Sequence, residues 1–103
     1  MKNQPITLPG KTLIYNYGDY VYEVTFLTDS LLHWKCLQGD EKGNEEDETY
    51  YTQRLNDHTI FAAWVEKTGL GVSQVINLGT YEIHTFLKSD FTITKLSGTI
   101  REL

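Results

Sequence analysis

Cysteine is almost missing from this 103-residue chain: Cys36 stands alone, so neither an intramolecular disulfide nor a thiolate metal cage can be assembled from it. That scarcity fits a reducing, cytoplasmic setting. Basic residues are also short, 9 Lys and Arg against 14 Asp and Glu for a formal net charge of −5. The summed field repels phosphate backbones and anionic lipid surfaces, which argues against nucleic acid and membrane as partners. Long apolar runs are absent. The stretch from Met1 to Gly10 has no continuous segment of secretory length, and nothing later approaches the length of a bilayer span, so a soluble, unexported protein is expected. No phosphate-cradling loop is present either, since Gly69-Leu70-Gly71 lacks both the spacing and a following helix. His33, His58 and His84 show none of the tight spacings of zinc sites, and neither a metal nor another cofactor is required. The acidic stretch holding Asp40, Glu41, Glu45, Glu46, Asp47 and Glu48 does not follow the calcium-loop order and reads as a solvated surface loop over 39–48.

What remains is a chain rich in strand-forming residues. It is 40% hydrophobic and 13% aromatic, enough to fill one core, and its length suits a single domain over 1–103. From Lys11 onward, short runs of Tyr, Val, Ile, Phe, Trp and Thr alternate with Gly, Asn and Asp clusters, the pattern of strands and tight turns. Strands are expected at about 11–17, 20–28, 31–38, 48–56, 59–67, 70–78, 81–88 and 91–101, the last read as one strand or two short ones. Hairpins at this spacing favour an all-β, antiparallel up-and-down barrel of about eight strands, closed so that no edge stays unpaired and able to hold one small ligand.

Alternation assigns faces. Leu13, Tyr15 and Tyr17 share an inward side, as do Tyr20, Tyr22, Val24 and Phe26, and Leu32, Trp34 and Cys36. Ile14, Asn16, His33 and Lys35 then point outward, with His84, while Cys36 reads as a small buried hydrophobe. The run from Thr59 to Glu66 is apolar on both faces and stays unoriented, with Glu66 on the side of Trp64.

Those faces can direct Tyr15, Tyr17, Tyr22, Trp34 and Glu66 into one interior. Phenol hydroxyls donate to a carboxylate or carbonyl, and a carboxyl desolvated among rings tends to stay protonated, so Glu66 is a candidate acid. The alternative is that the tyrosines are core residues whose hydroxyls reach the rim and that Glu66 ends a strand in water.

The run from Ile14 to Val24 (Ile-Tyr-Asn-Tyr-Gly-Asp-Tyr-Val-Tyr-Glu-Val), followed by Thr28-Asp29 and by Ala63-Trp64-Val65-Glu66-Lys67-Thr68-Gly69, resembles the N-terminal part of bacterial phenolic acid decarboxylases. It resembles equally the shorter MoaF-like proteins that share their lipocalin-like (calycin) barrel. The similarity runs over roughly residues 10 to 85 and rests on short motifs in the right order. By that resemblance, Tyr15 and Tyr17 engage a substrate carboxylate, Glu66 takes part in proton transfer, and Tyr22 and Trp34 lie beside an aromatic substrate, without any cofactor. One feature of the decarboxylases is missing: their functional Arg-Trp pair is replaced by Gly43-Asn44, and Arg54 does not match it. Losing such a partner can remove several kcal/mol of transition-state stabilisation, so that activity does not carry over. Three readings stay open: binding of a small aromatic or carboxylate molecule, a cofactor-free lyase or isomerase, and a filled core acting through its surface as a homodimer or accessory subunit. Outward Phe61, Val65, Phe86 and Phe91 would serve the third.

Overall fold

Period-two alternation drives the chain into nine strands: β1 (Thr12–Asn16), β2 (Val21–Phe26), β3 (Leu31–Gln38), β4 (Glu45–Thr49), β5 (Tyr51–Asn56), β6 (Thr59–Val65), β7 (Gly71–Asn77), β8 (Glu82–Ser89) and β9 (Thr92–Glu102). The computed structural model describes residues 4–103; of the N-terminal stretch read above, Met1, Lys2 and Asn3 lie outside the described residues. All ladders are antiparallel, in the order β4-β3-β2-β1-β9-β8-β7-β6-β5. Chain neighbours pair except β4 and β5, which are the two edges of the sheet, and β1 pairs with β9, with Leu13 opposite Glu102 and Asn16 opposite Thr99. The result is a nearly closed up-and-down barrel, as the alternation implied.

The strands differ from the sequence reading over the span 48–56. The span 48–56 is two strands, and the first reaches back to Glu45, so part of the acidic stretch is sheet rather than loop. Charge hides it: side chains at 45–49 are almost all acidic and carry no apolar signal. The two halves meet at Tyr50, where the run changes partner. Before it, Thr49 lies opposite Leu31; after it, Tyr51 lies opposite Ala63. Tyr50 is 1% exposed, its hydroxyl donates to the Thr28 carbonyl at 2.6 Å, and its ring meets Phe26 edge-on at 5.4 Å. Counting 45–56 as one bent run leaves eight staves in the barrel. Of the two alternatives for the last span, the single strand is found: β9 runs unbroken over 11 residues.

Inside lie Leu13, Val24, Phe26, Leu32, Ile60, Ala62, Val72, Ile76, Ile83 and Ile100, all buried. The unoriented strand thus turns Ile60, Ala62 and Trp64 inward and leaves Phe61 and Val65 exposed. One face assignment changes. Tyr20 precedes β2 and sets its ring against Gly39, because a register shift between Val21 and Tyr22 breaks the alternation there. Ile14 points outward yet is 7% exposed, flanked in register by Glu23 and Arg101, long side chains that shield it with their stems. Cys36 is buried.

One end of the barrel is stopped. Leu8 is 2% exposed and belongs to the core, with Ile6 packed against it, and the Ile6 N–H donates to the Asp57 carbonyl at 2.9 Å. Arg54 holds the same segment through the Ile6 carbonyl. At the other end, β8 and β9 project as a hairpin whose tip carries the fully exposed Phe91. On the outer face His33 lies between Glu45 at 2.8 Å and Asp47 at 2.6 Å, fixing β4 to β3. Among the described residues no helix is long and apolar enough to cross a membrane.

Candidate functional site

The core thins toward the unstopped end, where a cavity of about 90 Å³ remains among Tyr15, Tyr17, Tyr22, Trp34, Trp64 and Glu66, with Glu41, Val72, Gln74 and Thr85 completing its walls. All the residues nominated from alternation therefore meet at one void. They arrive there by register: Tyr15 stands opposite Tyr22, and Trp34 is one position along from Lys35, the partner of Glu23. Their rings form an edge-to-face series across three strands, Tyr15 to Tyr17 at 6.3 Å, Tyr17 to Tyr22 at 6.4 Å and Tyr22 to Trp34 at 6.1 Å. Such T-shaped contacts favour the ring quadrupoles, each by about 0.5–1.5 kcal/mol, and stiffen that wall.

The polar tips are largely engaged by the protein itself. The Tyr15 hydroxyl donates to Gln74 Oε1 at 3.2 Å, Tyr17 Oη and Thr85 Oγ1 share a hydrogen bond of 2.6 Å, Tyr22 donates to Glu41 Oε1 at 3.1 Å, and the Trp34 indole N–H donates to Glu48 Oε2 at 3.1 Å. Burial lifts the Tyr15 phenol well above its usual range, with Tyr17 and Tyr50 adding to the effect. Burial also pushes Tyr17 up to about 12, against a lowering by its bond to Thr85. These hydroxyls stay protonated at any physiological pH.

Glu66 follows β6 in a turn closed by its own N–H to the Leu70 carbonyl and by Gly69 N–H to its carbonyl, each at 2.8 Å. Its half-buried carboxyl is raised to about 7, first by desolvation and then by the charge of Glu48, with Glu41 adding a little and the nearby Trp64 indole opposing. Trp64 is 7% exposed, and its Nε1–H is the buried side-chain donor left without a partner in hydrogen-bond geometry among the described residues.

Next to the cavity, the seam between β4 and the β6–β7 turn widens into a vestibule of about 260 Å³ that shares Trp34, Glu41, Glu66 and Leu70 with it. Glu45, Glu46 and Glu48 from β4 line the vestibule, with Lys67 as its only basic residue among those described. Lys67 crosses the seam to Glu46 at 3.1 Å. Glu41, Glu48, Trp64, Gln74 and Thr85 were not singled out as ligand contacts by sequence. Glu48 carried a usable signal, because counting back in twos from the aromatic Tyr50 places it inward, and it is 4% exposed. Arg54, by contrast, lies at the stopped end and not at this cavity.

With that geometry in hand, the known proteins bear on it as follows. The family model described as MoaF-like matches residues 9–101. A crystal structure from Burkholderia vietnamiensis, of a protein provisionally described as a beta-lactamase, superposes with a TM-score of 0.89 at 19% identity, covering 99% of this chain and 100% of that one. At that identity the likeness is one of fold. No curated protein matches the chain significantly.

Proposed function

We propose that this chain, which belongs to the MoaF-like family, is a binding module that receives a small molecule at the open end of its barrel. The observation that carries this reading is the void itself. Protein interiors pack to crystal-like density, yet here about 90 Å³ is left between rigid aromatic walls, continuous with a vestibule that opens outward. The inner space is smaller than the ~150 Å³ apolar cavity that accepts benzene in a well-studied engineered lysozyme. A ligand of aromatic size must therefore straddle cavity and vestibule, with its narrow end inside.

Turnover in the manner of the decarboxylases has less support. Among the described residues no arginine, lysine or histidine lines the cavity, and the tyrosines that would hold a carboxylate already bond Gln74 and Thr85. Both tryptophans of the chain line the cavity, so intrinsic fluorescence reports its occupancy. Titration with small aromatic probes should give a saturable change in the native protein and none in Val72→Phe, which fills the void. A change of equal size in both proteins would place the probe elsewhere and defeat the reading.

A second reading, association of two copies, draws on an apolar band across the outer face of β5 to β8, where Tyr51, Phe61, Val65 and Phe86 are all exposed. Light scattering decides it: a mass of twice the 11.9 kDa chain supports the dimer, and a mass of one chain removes it.

A further inference from the structure

The binding reading leaves open what kind of molecule the cavity selects, and the charges around it decide that question. We infer that the site selects small organic cations, an alkyl- or arylalkyl-ammonium group entering the aromatic cavity beside Glu66, and that it rejects carboxylates. This rests on the cavity being a binding site at all and adds the class of its ligand.

Two features point the same way. Among the described residues, Glu41 and Glu66 lie on the cavity wall with no basic residue beside them, and the vestibule that a ligand must cross holds Glu41, Glu45, Glu46, Glu48 and Glu66 against Lys67 alone. Lys67 is itself occupied by Glu46. A cleft walled by one sign of charge concentrates the opposite ion and excludes its own. Secondly, the rings of Tyr15, Tyr17, Tyr22 and Trp34 stand at 65° to 70° to one another, which turns faces as well as edges toward the enclosed space. Ring faces attract ammonium groups by about 0.5–2 kcal/mol each when desolvated.

The fit in size agrees. About 90 Å³ admits an ammonium group with one or two carbons, while the remainder of the molecule rests in the vestibule against Trp34 and Leu70. The titratable groups around Glu66 are Glu45, Glu46 and Glu48 from β4, Glu41 from the β3–β4 turn, Lys67 in its own turn, Tyr22 from β2 and Tyr17 beyond β1; the walls from β7, β8 and β9 supply Val72, Gln74, Thr85, Leu87 and Leu96, none of them charged. Uptake of a cation should therefore follow ionisation of Glu66 and strengthen as pH rises.

The test uses three probes of one shape: benzylamine, benzyl alcohol and benzoate, titrated into the native protein and into Glu66→Gln while the indole N–H resonances of Trp34 and Trp64 are followed by NMR. Benzylamine should bind at least about tenfold more tightly than benzyl alcohol, with benzoate the weakest. Between pH 5.5 and 8 its affinity should rise on the order of tenfold, the native protein losing that rise in Glu66→Gln. Raising the salt should weaken it. Both indole signals should move, because Trp34 and Trp64 line the cavity. Benzyl alcohol or benzoate binding as tightly as benzylamine would overturn the cation inference and leave the binding module standing. No saturable shift with any of the three would overturn both.

Discussion

Glu66 sits between two demands, a hydrophobic wall that disfavours its charge and a vestibule already crowded with carboxylates. Its folded value of about 7 exceeds the ordinary 4.5, so the native state holds the proton more tightly than the unfolded chain does. The associated stability is complete below pH 4.5 and is lost as pH rises through about 7. Glu66→Gln should remove that loss. Allowing for its half-exposed position, the variant should gain about 1–2 kcal/mol over the native protein at pH 8 and little at pH 4, read from urea denaturation at the two pH values. Parallel pH profiles would mean that another group titrates. Thr85 poses a simpler question. Its hydroxyl is 2% exposed and bonds Tyr17, so Tyr17→Phe should cost about 1–3 kcal/mol by leaving it unpaired. Adding Thr85→Val should recover most of that cost, as thermal unfolding of the single and double variants would reveal. At this scale the sequence was informative where strands alternate cleanly. Tyr15, Tyr17, Tyr22 and Trp34 follow from counting in twos, as Glu48 does from Tyr50, whereas Gln74 and Thr85 look like ordinary polar strand residues until an opposing tyrosine is seen across the barrel.

Among the elements, the first three strands were legible because apolar and polar side chains alternate along them, while β4 was not, because a strand at a charged rim needs no apolar face. The bend at Tyr50 was likewise invisible: its cause is a change of partner from β3 to β6, a relation between segments distant in sequence. β9 raises a sharper point at Gly98. A Cβ there would meet the Asn16 carbonyl oxygen at 2.0 Å and the Tyr17 Cα at 3.0 Å, and both neighbours are backbone that cannot swing aside. Gly98→Ala must push β1 off β9 just where Tyr17 turns into the cavity. We expect a loss of more than about 3 kcal/mol and, in any folded fraction, a weaker response of tryptophan fluorescence to probes. Gly43→Ala is the control, since a Cβ there meets nothing within 4 Å although its φ is +94°, and only the smaller cost of left-handed backbone applies.

For the molecule as a whole, the ladders fall into two kinds. Most join strands that follow one another along the chain, and these hairpins close short loops. The β1–β9 ladder instead brings Leu13 to Glu102 and Tyr15 to Ile100, closing nearly the whole chain at once. Loop entropy makes such a contact costly to form before others reward it, so the barrel should assemble as a curled ribbon of hairpins that zips shut at this junction late. Substitutions on the two kinds of ladder should then part company in stopped-flow kinetics. Ile76→Val, in the local β6–β7–β8 ribbon, should slow refolding, whereas Ile100→Val should leave refolding nearly unchanged and hasten unfolding. Because Tyr15 and Tyr17 reach the cavity from the β1 side of that junction, the aromatic wall would be the last part of the molecule to exist during folding and the first to come apart on the way out.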